Sequence, residues 1–420
     1  MALLKLSGKE FCVFLLTFFS IVATHTAREG WWMVKAQVHY DMEFSASFLG
    51  ALDFTFLFLY SFGYFVSGVV ASRFCLVKVM TSGMVMAMFA LWAVALCGVL
   101  RVQEKWVYLL LWCIEGPVQG VILTTGVSIL GNWVPFYIRG QVMGAWGANS
   151  SVGNILGQWV AAITNQDLDL PWEGVIVSTS SLLGIVAVFI FVFIEPSPSR
   201  NSLSENLIEK ETTEVGFWES WKLPGVTECA VCYGCIKMLN YGFFMWLPFY
   251  LKVVFGMQMT QISILATLYD LGGVLGSIVS GYISDLTMKR STVVECMMIC
   301  SVPLLLAFQV VGLESSYLFF GLVPITGYMI GGSANIISVA VASDLAKDIS
   351  TKPKPTIIGI INGTGAFGAA IGQVLIGYIQ SFSWNAVFGF MMLVSILSCC
   401  FLVRIVYREV KSTNLQTSKI

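Results

Sequence analysis

The sequence predicts an all-α membrane protein with twelve transmembrane helices in two pseudo-symmetric six-helix halves, an expectation that rests on three features. Of 420 residues, 57% are hydrophobic and only 11% charged, with a mean hydropathy of +0.81; a soluble domain carries about 25% charged residues. About twelve apolar runs are each long enough to cross a bilayer core about 30 Å thick, which takes roughly 20 helical residues. Two glycine-containing motifs recur at nearly one offset, the mark of duplicated halves.

The runs fall at 10–34, 47–70, 79–100, 106–130, 141–163 and 173–195, then at 226–254, 261–283, 292–313, 316–342, 356–380 and 384–407. The polar stretch from 196 to about 222 contains Ser197, Ser199, Ser202, Glu205, Glu209, Lys210, Glu211 and Glu214 and reads as a hydrophilic linker. The expected organisation is therefore a half at 1–195, a cytosolic linker at 196–225 and a half at 226–420. With both termini and the linker cytosolic, the Lys and Arg residues divide roughly 17 to 6 in favour of that side, which sets the topology. Reading the first run as a cleaved leader would leave an odd number of helices and spoil the duplication. The eleven cysteines show no paired CxxC spacing and read as small buried hydrophobes.

The duplication rests first on Gly68-Val-Val-Ala-Ser-Arg73 after the second helix, which is matched by Gly281-Tyr-Ile-Ser-Asp285 after the eighth. Likewise, Gly153-Asn-Ile-Leu-Gly157-Gln158 in the fifth helix is matched, at almost the same separation along the chain, by Gly368-Ala-Ala-Ile-Gly372-Gln373 in the eleventh. Duplicated halves of this kind bind substrate near the midplane and expose it alternately to each side as they rock. The small-residue faces Gly140, Gly144 and Gly147, and Gly359, Gly363, Gly365, Gly368 and Gly372, are expected to let helices approach closely.

Six plus six helices, a central polar linker and short Gly-to-basic loops after helices two and eight resemble the major facilitator superfamily. More narrowly, the chain resembles the solute carrier family 37 sugar-phosphate exchangers, within the organophosphate:phosphate antiporters, and most of all their sugar phosphate exchanger 3 branch. The segments that carry this run along nearly the whole chain: Phe14-Leu-Leu-Thr-Phe-Phe-Ser20, His25-Thr-Ala-Arg28 with Val34-Lys35, Phe48-Leu-Gly-Ala-Leu-Asp53, Gly131-Asn-Trp133, Ser151-Val-Gly-Asn-Ile-Leu-Gly157, Lys237-Met-Leu-Asn-Tyr241, Trp246-Leu-Pro-Phe-Tyr-Leu251 and Asn362-Gly-Thr-Gly365. The resemblance implies exchange of a phosphorylated sugar for inorganic phosphate, in the endoplasmic reticulum or another endomembrane. The chain departs from the family pattern at Glu29, where a lysine usually follows Arg28, at Gly120-Val-Ile-Leu123 in the fourth helix, and at Ser72, where the loop acid is lost. Asp285 keeps that acid in the second half.

A charged side chain near the bilayer centre costs about 2.5–3.5 kcal/mol on insertion scales, so it marks a functional site by default. Lys237 falls near mid-membrane, with Asn240 and Tyr241 on its face at i+3 and i+4; its alternative role is a structural pair with Asp270 or Glu115. Arg28 offers a planar fork that matches two phosphate oxygens, and His25 and Lys35 share its face at three residues before and seven after. Counted at about 1.5 Å per residue from Phe11, Arg28 lies roughly 26 Å along the helix, which leaves interfacial snorkelling as its alternative. The family resemblance favours Tyr60 over Tyr64, and Gln119 and Ser150 are polar residues in the fourth and fifth helices that need a partner away from water. The candidate substrate-binding set is Arg28, Lys237, His25, Tyr60, Asn240, Tyr241, Gln119 and Ser150, and the candidate gating set is Gly68, Arg73, Gly281 and Asp285.

The sequence lacks HExxH, GxSxG, Walker A and zinc-spaced motifs and has only two histidines, which argues against an enzyme, a cofactor, a metal site or a nucleotide-driven pump. A formal net charge of −1 argues against a nucleic-acid partner. The glycosylation patterns at Asn149 and Asn362 fall inside expected helices and are expected to stay unmodified. Expected partners are a small anionic solute and the lipid bilayer, with a monomer as the default state. Two other readings stay open: a carrier of another polar solute driven by protonation of Asp53, Glu115 or Asp270, and a transporter-like scaffold that holds an accessory membrane protein.

Overall fold

A computed structural model describes residues 6–135, 138–195, 217–287, 289–310, 316–337 and 354–417. Among these residues the regular structure is helical, with no strand. The first stretch of sequence folds as α1 (Gly8–Asp41), α2 (Ala46–Arg73), α3 (Leu76–Val99), α4 (Lys105–Trp133), α5 (Arg139–Trp146), α6 (Asn149–Ala162) and α7 (Trp172–Phe193). After the short α8 (Phe217–Trp221) come α9 (Val226–Phe255), α10 (Met259–Thr287), α11 (Arg290–Val310), α12 (Ser316–Thr326), α13 (Gly332–Ile336), α14 (Lys354–Gln380) and α15 (Trp384–Thr417). Among the described residues, ten helices are long and apolar enough to span a membrane. Exposed Phe189, Phe191, Val192 and Phe193 on α7 show the outward apolar surface that a lipid environment requires.

Two expected spans are not continuous helices. The run at 141–163 breaks after Trp146, where Gly147 and Ala148 close a turn onto Met143 and Ala145, and α6 then ends in a π-helical turn over Ile163–Asp167. The run at 316–342 passes from α12 through a π-helical turn at Gly327–Gly331 into α13, and its end lies outside the described residues. Both runs are apolar enough to read as spans, but hydropathy does not register a change from α-helix to a turn or a π-helical turn. The first helix is longer than expected, running on at its C-terminal end to Asp41, while Ser7 and Glu10 form a reciprocal capping box at its start.

The cysteines also differ from expectation. All eleven are free, but only Cys229 and Cys232 are buried, while Cys75, Cys113, Cys296, Cys300 and Cys400 are exposed. An apolar run buries its thiols only where a neighbouring helix covers that face.

Close packing rests on glycines at crossing points. In the first part of the chain, α4 lies on α2: a Cβ on Gly116 would collide with the Phe56 carbonyl, and one on Gly120 with the Tyr60 carbonyl. The second part repeats this, since a Cβ on Gly327 would collide with the Tyr269 carbonyl, and one on Gly331 would crowd Gly273 of α10. Likewise Gly153 and Gly157 of α6 sit on Val22, His25, Thr26 and Glu29 of α1, while Gly368 and Gly372 of α14 sit on Gly234 and Met238 of α9. Gly144, Gly359 and Gly363 face open space, so only part of each expected small-residue stripe serves as a contact; the surroundings of Gly140 lie outside the described residues.

The chain separates into two compact units, one comprising Met1–Ser202 with Pro248–Thr267 and the other Leu203–Leu247 with Leu268–Ile420. In the first unit, α1 packs on α4, α6 and α7, and α3 on α4 and α7; in the second, α15 packs on α11 and α14.

Candidate functional site

Arg28 occupies the inward face of α1 and is 6% exposed. That excludes interfacial snorkelling, since α1 continues past it to Asp41 and α2, α4 and α6 surround it. One guanidinium nitrogen lies 3.1 Å from His25 Nε2, and His25 Nδ1 lies 2.9 Å from Asn154 Oδ1 of α6. A guanidinium only donates, so Nε2 accepts and Nδ1 carries the hydrogen given to Asn154. The guanidinium also stands over the rings of Phe56 and Tyr60, at 5.6 and 5.1 Å, and these rings stack on one another one turn apart on α2. Cation–π contact holds the charge without neutralising it, so Arg28 keeps its positive potential in a desolvated place.

Beside Arg28 is a small cavity walled by Trp31, Trp32, Phe56, Leu91 and Trp112, with Glu115 and Gln119 at its polar edge. Glu115 and Gln119 are both buried and one helical turn apart, so the Gln119 amide donates to Glu115 Oε1. Arg28 Nε, Glu115 Oε2 and Gln119 Oε1 are buried without a hydrogen-bond partner among the described residues.

Lys35 shares the α1 face with Arg28, as the spacing predicts, but has a different partner. Its ammonium donates to Asp53 Oδ2 at 2.8 Å, with both side chains fully buried, and the Trp31 indole donates to the other oxygen at 3.1 Å. Lys35 is thereby neutralised and Asp53 has both oxygens occupied. Glu29 is turned away from Arg28: Gly157 packs on its stem, and Gln158 donates to its Oε1 at 3.0 Å. Gln158 in turn accepts from Thr267 at 2.9 Å, so the extra acid is held in a polar network on α6.

In the other unit, Lys237 is half-buried on α9 with its ammonium 4.7 Å from the Tyr241 ring centre and 5.7 Å from that of Tyr233. Gly365 of α14 leaves room for Tyr233 and the Lys237 stem. Asn240 accepts from Tyr269 at 2.9 Å. Glu115, one of the two carboxylates named with Asp270 as a structural partner for Lys237, accepts from Gln119 on its own helix.

Within the first unit the structure thus gathers His25, Arg28, Tyr60 and Gln119, and within the second it brings Lys237 to Tyr241. Ser150 donates to its neighbour Asn149 at 3.1 Å, an interaction within α6. Arg73 is exposed at the end of α2, Gly281 faces open space, and Asp285 pairs with Arg290 at 2.9 Å on the surface; the surroundings of Gly68 and the side chain of Tyr64 lie outside the described residues. Sequence reasoning missed Asn154, Phe56 and Trp112, whose roles depend on which helix stands opposite. The i, i+4 spacing of Glu115 and Gln119 was a signal that could have been found.

Glycine-set helix crossings that repeat along the chain, with a desolvated cation beside a cavity, are the build of a two-fold pseudo-symmetric membrane carrier. The chain belongs to the Major Facilitator Superfamily, whose profile matches residues 13–351 and 255–419, and is an integral multi-pass membrane protein. It is 31% identical to human sugar phosphate exchanger 3, over 98% of this chain and 96% of that one. It is also 31% identical to putative glycerol-3-phosphate transporter 2 of Arabidopsis thaliana, over 97% of this chain and 89% of that one. These relatives bear out the resemblance read from the sequence, and they are transporters rather than enzymes by name. Among solved structures, a bacterial homolog of the human lysosomal transporter Spinster superposes with a TM-score of 0.77 at 13% identity, covering 96% of this chain and 98% of that one. The nucleoside transporter NupG does so with 0.69 at 13%, covering 96% and 99%. At such identity they show the fold alone.

Proposed function

We propose that the protein carries a phosphorylated sugar or similar organic phosphate across a membrane by alternating access, in exchange for inorganic phosphate. The observation that carries this is Arg28, a buried cation with no carboxylate bonded to it among the described residues, aimed by His25 and held over two aromatic rings. The names of the relatives support the same substrate class. Glu29 accepts from Gln158 of α6, which directs its carboxylate away from Arg28 without removing its charge. Lys237, cushioned by Tyr233 and Tyr241, is the second cation assigned to the anion during the cycle.

Exchange rather than net flow follows from electrostatics. Occluding an empty site that holds a bare arginine is costly, and a bound anion of either kind offsets that cost. The carrier therefore returns faster loaded than empty. The two six-helix halves, 1–195 and 226–420, are the bodies that rock, joined by the linker at 196–225. Of the carboxylates considered for proton coupling, Asp53 has its two oxygens taken by Lys35 and Trp31.

We assign the protein, as a monomer, to the endoplasmic reticulum or another endomembrane on the family resemblance, with both termini cytosolic in line with the excess of Lys and Arg on that side. The test is uptake of radioactive phosphate into proteoliposomes preloaded with phosphate, with glucose 6-phosphate or with buffer. Uptake that needs an internal phosphorylated solute and is lost in Arg28→Ala and Lys237→Ala supports exchange. Uptake indifferent to the internal solution refutes it. Antibody access to terminal tags after selective permeabilisation of the plasma membrane tests the orientation.

A further inference from the structure

The three polar atoms left unbonded at the cavity are not interchangeable. Arg28 Nε is a donor, and Glu115 Oε2 is the free acceptor oxygen of a carboxyl group whose other oxygen is taken by Gln119. Gln119 presents its Nε2 to Glu115, and that fixes its Oε1 as a second acceptor. One side of the cavity therefore asks for an acceptor and the other for two donors. Inorganic phosphate offers mainly acceptor oxygens, which answer Arg28 and leave Glu115 and Gln119 unanswered. A phosphoryl group extended by hydroxyl groups answers both sides at once. The remaining walls are Trp31, Trp32, Phe56 and Trp112, aromatic faces of the kind that pack against the C–H surface of a small hydroxylated ring or chain.

We propose that Glu115 and Gln119 form a hydroxyl-reading subsite, which receives the polyol portion of an organic phosphate whose phosphoryl group is on Arg28. The inference rests on the transport reading above and deepens it, since it makes the fourth helix the element that tells an organic phosphate from inorganic phosphate. Leaving buried acceptors without donors costs the wrong substrate more than a missing van der Waals contact does, which is why polar subsites discriminate strongly.

The experiment measures inhibition of phosphate exchange in proteoliposomes by glucose 6-phosphate, methyl phosphate and phosphoethanolamine. In the wild type, glucose 6-phosphate is expected to inhibit at a concentration at least tenfold below methyl phosphate. Glu115→Gln, which turns one acceptor into a donor, is expected to lower that ratio about tenfold, and Gln119→Met several-fold. A ratio within twofold of wild type in both variants overturns the subsite, as does an equal loss toward both inhibitors. Inhibition by phosphoethanolamine stronger than by glucose 6-phosphate also overturns it, because the acceptors would then read an ammonium. If Glu115→Gln does not elute as a single folded species, Gln119→Met, which leaves the carboxyl group in place, decides. Absence of any phosphate exchange in the wild type fails the transport reading and the subsite together, whereas exchange with an unchanged ratio fails the subsite alone.

Discussion

Helices α1 and α9 meet their partner helices through equivalent positions yet carry different chemistry there. Val22 and Thr26 face Gly153 and Gly157, and Gly234 and Met238 face Gly368 and Gly372. When Val22 is aligned with Gly234 and Thr26 with Met238, Lys237 stands where α1 has His25, Asn240 where it has Arg28, and Leu247 where it has Lys35. When α2 is aligned with α10 through Gly68 and Gly281, Tyr269 stands for Phe56 and Ala266 for Asp53. The backbone crossings were kept in both copies while the charges were not. Leu247 and Ala266 are buried apolar residues, so the architecture does not itself require an ion pair at those positions.

The likeness of the two copies is most vulnerable at the crossings on which it depends. Gly116→Val and Gly327→Val each drive a side chain into a carbonyl of the facing helix, at Phe56 and Tyr269, where neither backbone can retreat. Both variants are expected to yield no folded peak in size-exclusion chromatography. Gly281→Ala, which meets open space, is expected to elute like the wild type. Equal tolerance of all three would deny that the crossings depend on glycine, and tolerance of only one of the two valines would deny that the crossings are equivalent.

Next in size is the buried pair. Lys35→Met and Asp53→Asn each leave a partner stranded, and each is expected to cost about 3–5 kcal/mol, read as a lowered melting temperature in detergent. The double variant K35L/D53A, which copies the residues of the other half, is expected to recover most of that loss. A double variant as unstable as the sum of the singles would show that the two halves do not share this packing.

Transport separates Arg28 from its counterpart Asn240. Arg28→Ala removes charge-assisted hydrogen bonds worth about 1.5–3 kcal/mol and is expected to slow phosphate exchange on the order of 100-fold. Asn240→Ala loses one neutral bond from Tyr269, worth about 1 kcal/mol, and is expected to slow it about fivefold. Similar losses in both would assign the anion equally to the two copies. The smallest effect belongs to Asp285→Asn, whose exposed pair with Arg290 is worth under about 1 kcal/mol, so its melting temperature should stay close to wild type.

The membrane class, the positions of most spans, the duplication and the family were all legible in the chain. The reason is that a bilayer demands about 20 apolar residues per helix, and duplicated glycines keep their spacing. The local pair Glu115 and Gln119 was legible in principle, since residues four apart on a helix are neighbours whatever surrounds them. The fates of Arg28, Glu29 and Lys35 were not. Helical periodicity states which way each side chain leaves the axis of α1. It does not state that α2 brings Asp53 to Lys35, that α6 brings Gln158 to Glu29, or that Phe56 and Tyr60 lie beneath Arg28. The breaks at Gly147 and Gly327–Gly331 belong to the same category, because apolar content is indifferent to helix type. Composition and spacing suffice to specify a duplicated membrane carrier with a few buried charges. Which charge is paired, which is turned aside and which is left over aromatic rings depends on the helix that stands opposite each one, and that is settled only when the helices pack.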